Sequence, residues 1–133
     1  MNGWNERYNF LKSIAEKTDN IKILGPVKTE MLRKYYSNAD IFVYLSIDEG
    51  FGLPPLEAMA CGTNVVVSDI PVFREVYKDY AFYTKDENVM ETIKFALKNR
   101  RSENELWKFT LNYSLENEIE NLLEIYRSLE KFH

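Results

Sequence analysis

Residues 40–57 read Asp40-Ile41-Phe42-Val43-Tyr44-Leu45-Ser46-Ile47-Asp48-Glu49-Gly50-Phe51-Gly52-Leu53-Pro54-Pro55-Leu56-Glu57. The run over 40–45 has the length and the Phe, Val and Tyr content of a buried strand. Pro54-Pro55-Leu56-Glu57-Ala58-Met59-Ala60 predicts a helix from Pro54 to about Cys61, with Gly62 placed to end it in a left-handed conformation. Between them, Gly50 and Gly52 allow the backbone a positive φ or a close approach to a ligand. A strand, a glycine loop and a helix start together turn backbone N–H groups toward an anion.

Two carboxylates bracket that loop, Glu49 and Glu57. Glu49 follows the C-terminal end of the strand, where ligands of open α/β sheets bind. Glu57 lies about one turn into the helix, and an ionised carboxylate accepts two hydrogen bonds from a vicinal diol such as a ribose. Phosphate-binding amides beside hydroxyl-binding acids point to a sugar nucleotide. The bland alternatives are a tight turn with glycines for geometry and a first-turn acid favoured by the helix dipole. Asp48 reads as a solvated loop acid, Asp40 as the opening of its strand, and Asp69 as the cap of a helix that Pro71 begins. No Lys or Arg occurs between Lys34 and Arg74, so any cation facing a pyrophosphate has to come from elsewhere.

Outward from the loop, strand and helix signals alternate. Residues 3–18 carry Trp4, Tyr8, Leu11 and Ile14 at helical spacing, and Ile21–Leu24 reads as a short strand stopped by Gly25-Pro26. Thr29 is placed to cap a helix with Met31, Leu32, Tyr35 and Tyr36 on its inner face. Strands are predicted at Asn64–Val67 and Ala81–Thr84, with a short helix near Phe73–Tyr77 between them. The remainder reads as helical. Asp86 opens one helix, the capping box Ser102-Glu103-Asn104-Glu105 opens another, and Leu115, Ile119, Leu122, Tyr126 and Leu129 form the stripe of a long amphipathic one. This alternation predicts an α/β, Rossmann-like parallel sheet with helices on both faces, ending in helices. The expected domain is single and spans 1–133.

Composition narrows the class. The chain is 45% hydrophobic and 14% aromatic, as expected of a globular core. A net charge of −4 offers no basic surplus for nucleic acid, so no nucleic-acid partner is expected. No apolar stretch reaches the ~20 residues of a membrane-spanning helix. The opening Met1–Arg7 lacks the order of a secretory signal, and cytoplasmic placement is the expectation. Cys61 is the single cysteine and reads as a small buried hydrophobe; His133, the single histidine, is the last residue, which leaves no Ser-His-Asp arrangement.

The residues resemble a family. Glu49-x7-Glu57 with Gly50-Phe51-Gly52-Leu53-Pro54 between, then Glu57-Ala58-Met59-Ala60-Cys61-Gly62, then Val65-Val66-Val67-Ser68-Asp69, are similar to the retaining family-4 glycosyltransferases, the "glycosyl transferases group 1" domain. Ile21–Val27, Leu32–Ser46, Pro71–Tyr77 and Tyr113–Leu129 extend the likeness over roughly Asn20 to Leu129. The resemblance implies the C-terminal donor domain of a two-domain GT-B enzyme, which would transfer a hexose from a nucleotide-diphosphate sugar to a glycan or lipid-linked acceptor with retention. It implies that Glu57 holds the ribose hydroxyls and that the N–H groups of Gly52 and Leu53 meet the diphosphate. It also implies that Glu49, the catalytic candidate, holds donor-sugar hydroxyls together with the backbone of Gly50 and Phe51. No metal or other cofactor is implied beyond the nucleotide sugar as co-substrate.

The chain departs from that pattern at its N-terminal side. The acceptor domain and the opening of the donor domain, with its Arg and Lys, have no counterpart. In a 3-2-1-4-5-6 sheet, Ile21–Leu24 would be strand 3 and the segments at 40–45, 64–67 and 81–84 strands 4 to 6. Strand 3 is then expected either to pair with strand 4 directly or to leave a gap for a second chain, which would supply the acceptor domain and any peripheral membrane attachment. Trp107, Phe109 and the 115–129 stripe are expected either to want a partner or to cover this domain's own sheet. The competing function is a non-catalytic sugar-nucleotide or protein-binding module, or one subunit of a split enzyme. A glycosidase acid–nucleophile pair at Glu49 and Glu57 finds no sugar-filled cleft in the sequence.

Overall fold

A computed structural model describes the backbone of residues 3–121 and the side chains of residues 6–121. Two compact units are present, one ending at Met31 and one beginning at Leu32.

In the first unit, helix α1 runs Gly3–Glu16. Its end is tied by the Thr18 hydroxyl, which donates to the Ile14 carbonyl at 2.8 Å. Ile21–Leu24 is not a strand, contrary to the sequence expectation. Its apolar side chains are exposed, and its Ile21 N–H turns back to the Thr18 carbonyl. A short apolar run becomes a strand only where a neighbour takes its amides and carbonyls, and no described strand does so. Helix α2 runs Thr29–Asn38 with Thr29 as its first residue, so this threonine is not the cap. Of the four residues expected on its inner face, Tyr36 is buried and Leu32 half-buried, while Met31 and Tyr35 are exposed.

The second unit is built on a parallel sheet of order β1-β2-β3, with β1 at Phe42–Tyr44, β2 at Val65–Ser68 and β3 at Phe82–Thr84. Val43 faces Val66 across the first pair, and Val67 faces Tyr83 across the second. The strands predicted at 40–45, 64–67 and 81–84 are present with shifted ends. The central strand is buried along its whole length, as a strand covered on both faces must be. Helix α3, Leu53–Ala60, joins β1 to β2, and α4, Pro71–Tyr77, leads from β2 toward β3. The main core gathers Val65 and Val67 with Ala58, Met59, Phe73, Tyr77 and Leu106. Helix α5, Val89–Lys98, packs on β2 and β3 and brings the fully buried Ala96.

Helix α6, Glu103–Thr110, opens on the predicted capping box: the Ser102 N–H donates to Glu105 Oε2 at 2.9 Å, and the Glu105 N–H donates to Ser102 Oγ at 3.3 Å. The helix packs on α3, and Phe109 stacks on Tyr80 with centroids 4.1 Å apart. Phe109 therefore covers this unit's own core, whereas Trp107 is exposed. Gly62, at φ 84°, ends α3 as predicted; a Cβ there would lie 2.9 Å from the Glu103 side chain. Cys61 is half-buried, so it is less enclosed than its sequence neighbours suggested.

Two acids do other work than predicted. Asp40 precedes β1 and pairs with Arg100 at 3.0 Å. The residue capping α4 is Ile70, and Asp69 instead pairs with Arg74 at 2.6 Å, because Pro71 supplies the helical φ without a side-chain cap. Asp86 opens a single 3₁₀ turn, Asp86–Asn88, ahead of α5. Residues 115–121 are helical, with Leu115 and Ile119 exposed; Leu122, Tyr126 and Leu129 of the predicted stripe lie outside the described residues. No helix among the described residues is long and apolar enough to cross a membrane.

Candidate functional site

Three tyrosine hydroxyls reach the loop after β1 and the helix that follows it. Tyr44 donates to Glu49 Oε1 at 2.6 Å. The buried Tyr77 donates to the Gly52 carbonyl. Tyr36 donates to Glu57 Oε2 at 3.4 Å. These tyrosines belong to one row of rings: Tyr36 meets Phe42 edge-on at 5.1 Å, Phe42 stacks with Tyr44 at 6.1 Å, and Phe73 joins Tyr44 to Tyr77 at 6.1 and 5.6 Å. The row arises because Phe42 and Tyr44 share one face of β1 through the two-residue period of a strand. Both acids and the glycine between them are thus tied to one aromatic row.

Electrostatics follow from this packing. The Tyr44 hydroxyl is pushed above its ordinary value mainly by its bond to the Glu49 carboxylate. Burial comes first for Tyr36, with Glu57 adding to it, and burial raises Tyr77 further. All three therefore stay protonated and act as donors at neutral pH. Glu49 is half-buried and has one oxygen engaged, which leaves the other for a ligand hydroxyl. Glu57 is exposed and holds only a long contact.

Gly52 is at φ 82°, ψ 60°, in the left-handed region, and caps α3. A Cβ there would lie 2.5 Å from Phe73 Cε1 and 3.1 Å from the Tyr77 hydroxyl. Conformation and space both require glycine. Gly50 has neither constraint, since its φ is not left-handed and nothing lies within 4 Å of where a Cβ would be. Only one of the two loop glycines therefore uses the freedom read from the sequence.

No side chain caps the N-terminus of α3. Pro54 and Pro55 carry no N–H and the Leu56 N–H belongs to the i→i−4 ladder, which leaves Gly52 and Leu53 as the free amide donors of this terminus. The first turn contains no acid. Such a terminus is worth about 0.3–2 kcal/mol to a nearby anion. Leu53 has its side chain exposed. Phe51 turns its ring onto Tyr113, edge-on at 5.7 Å. The end of β1 is tied to β2 through the Ser46 N–H, which donates to Ser68 Oγ at 2.9 Å.

One hollow adjoins α3 and another adjoins the loop before it. One of about 590 Å³, between α2 and α6, is lined by Arg33, Cys61, Glu103 and Trp107 and sits at the helix's C-terminal end, away from the loop. Another of about 380 Å³ borders the loop itself and is lined by Gly50, Phe51, Val72, Glu75, Lys78 and Tyr113, with the buried Val76 behind them. Lys78 is the cation that lines this second hollow.

Sequence reasoning singled out Glu49, Gly52 and Glu57 but not the tyrosines that hydrogen-bond to them. The available signal was tyrosine, rather than phenylalanine, at positions destined for the interior, since a buried hydroxyl needs a partner.

Comparison with known proteins agrees with the fold. The family model for glycosyl transferases group 1 matches residues 2–110. The chain belongs to that family. An O-antigen chain mannosyltransferase of Salmonella typhimurium is 49% identical over 73 residues, covering 55% of this chain and 21% of that protein. O-antigen chain mannosyltransferase B of Escherichia coli is 47% identical over 73 residues, covering 55% of this chain and 19% of that protein. A D-inositol 3-phosphate glycosyltransferase of Geodermatophilus obscurus is 43% identical over 61 residues, 46% of this chain and 14% of that protein. The matched part therefore spans about a fifth or less of these relatives' length.

Proposed function

We propose that this chain is the donor-binding part of a retaining, family-4 glycosyltransferase of GT-B architecture, comprising a single domain. It takes a nucleotide-diphosphate hexose and serves transfer of the hexose to a glycan or lipid-linked acceptor. The two mannosyltransferase relatives favour a mannosyl donor. The observation that carries the reading is the loop itself: a left-handed glycine opens a helix free of side-chain caps, and a tyrosine-held carboxylate stands on either side.

In this reading the amides of Gly52 and Leu53 meet the diphosphate. They stabilise the charge that develops on it as the glycosidic bond breaks, and no metal takes part. Glu57 accepts hydrogen bonds from the two ribose hydroxyls. Glu49 uses its remaining oxygen on donor-sugar hydroxyls beside the anomeric carbon, and the backbone of Gly50 and Phe51 completes the cradle. Tyr44 fixes the Glu49 rotamer, so the carboxylate meets the sugar already oriented.

Calorimetry of the chain with GDP, UDP and their hexose conjugates tests this. Binding of one nucleotide, weakened about tenfold by Glu57→Ala, is expected; that is the loss of roughly one hydrogen bond to a charged group. Glu49→Ala should spare the free nucleotide and remove the extra affinity of the sugar conjugate. Absence of nucleotide binding, or indifference to both substitutions, would refute the assignment. In a second reading, a second chain supplies the acceptor domain. Activity appearing only on mixing with such a chain would identify a split enzyme, and binding without turnover a non-catalytic module.

A further inference from the structure

Helix α4 meets the loop after β1 at two points. The Phe73 ring fills the place where a Cβ on Gly52 would stand, 2.5 Å from its Cε1, and the Tyr77 hydroxyl donates to the Gly52 carbonyl. Where α4 lies therefore decides where the backbone of Gly52 lies. The helix is only seven residues long and has no side-chain cap at its N-terminus, so its own hydrogen bonds are too few to hold it in place.

Its C-terminal end is clamped from β3. Tyr83 is half-buried and sets its hydroxyl between two backbone oxygens, the Phe73 carbonyl at 3.1 Å and the Lys78 carbonyl. One hydroxyl hydrogen is shared between them, so a single side chain ties the body of the helix to the turn that leaves it. The Arg74 guanidinium covers the Tyr83 ring at 3.8 Å and is itself fixed by Asp69 at 2.6 Å. Burial pushes the Tyr83 hydroxyl up to about 12, so it stays a donor at neutral pH.

The turn tied in this way is strained. Lys78 is the only non-glycine residue at positive φ among the described residues, at φ 49°, ψ −124°. An L residue persists there only where its neighbours over-determine it. Those neighbours are Tyr83, on the Lys78 carbonyl, and Tyr77, the preceding residue, whose hydroxyl is anchored on Gly52.

We infer that Tyr83 is a positioning residue for the proposed donor site, and the inference rests on that reading. Its hydroxyl keeps the Lys78 turn in the strained form, and that turn keeps Phe73 and Tyr77 against Gly52. Gly52, so held, aims its own amide and that of Leu53 at the diphosphate. Without the hydroxyl, Lys78 relaxes toward an ordinary φ and Tyr77 shifts with it.

Calorimetry of the 133-residue chain with GDP and UDP tests this, together with the Gly52 and Leu53 amide resonances of the ligand-free chain. Tyr83→Phe, measured well below its melting temperature, should shift both amides. It should also weaken binding of the nucleotide that the unsubstituted chain takes by about fivefold, the share of one hydrogen bond. Adding Lys78→Gly to Tyr83→Phe should recover most of that affinity, because glycine adopts the same φ without strain. A tyrosine that only stabilises the fold would lower the melting temperature without moving the amides or the affinity. That result would overturn the inference and leave the donor reading in place, as would a Tyr83→Phe chain that Lys78→Gly does not restore. Arg74→Gln keeps the hydroxyl but uncovers the ring and should weaken binding by a smaller factor. It decides by itself if Tyr83→Phe does not fold, an unchanged affinity then counting against the role. Failure of the unsubstituted chain to bind either nucleotide would remove the donor reading, and the positioning role with it.

Discussion

Substituting Gly52 by alanine tests the loop at its most constrained point. An L residue at φ 82°, ψ 60° costs about 1–2 kcal/mol. Its Cβ, placed 2.5 Å from Phe73 Cε1, must displace a fully buried ring in the middle of the aromatic row, and such overpacking costs about 1–3 kcal/mol. Restricting the unfolded chain returns about 0.4–1 kcal/mol. The net loss centres on about 3 kcal/mol, a large part of the 5–15 kcal/mol that typically separates folded from unfolded chains. With a urea slope of about 2 kcal/mol/M, the midpoint should fall by about 1–2 M. Gly50→Ala is the control, because nothing lies within 4 Å of its Cβ position and its φ is not left-handed. Its midpoint should hold or rise by up to about 0.5 M. Equal midpoints for the two variants would refute the claim that Gly52 alone carries the geometric constraint.

Other expectations follow from the same contacts. Tyr77→Phe leaves the Gly52 carbonyl without its buried donor and should cost about 1–3 kcal/mol in urea unfolding; an unchanged midpoint would show the bond to be inconsequential. Tyr44→Phe releases the Glu49 carboxylate and should weaken hexose-conjugate binding several-fold in calorimetry while leaving nucleotide affinity intact. Asp69 is held below the usual carboxylate range, first by its hydrogen bond from Arg74. Its contribution is therefore present above the unfolded carboxylate pKa of about 3.9 and is lost as pH falls through the lower folded value. Melting curves of the chain and of Arg74→Gln should differ slightly at neutral pH and converge below that window, the pair being solvent-exposed. A difference that grows in acid would contradict the sign.

Legibility in the sequence followed the range of the interaction. The helix after the loop, the Gly62 stop and the Ser102 capping box depend on neighbours within a few positions, and all are present; the strands near 40–45, 64–67 and 81–84 are present because each also finds a partner. Ile21–Leu24 failed because a strand is defined by its partner, and apolar content alone cannot supply one. Asp69 failed for a related reason: Arg74, about one helical turn away, takes the carboxylate that was expected to cap the helix. The tyrosine ties were invisible because they join residues as far apart as Tyr36 and Glu57, or Gly52 and Tyr77. Glu49 and Glu57 could be read from the chain as a pair of acids about a loop. What orients them could not.

The paired prolines at the head of α3 have a thermodynamic consequence. With φ fixed in both rings, the mouth of the helix is already shaped before any ligand arrives. Little backbone freedom then remains to be surrendered on association, which is the usual entropic burden of a glycine-rich loop closing on its guest. On the proposed donor reading, association there should carry a smaller ordering cost than at a helix mouth without those rings.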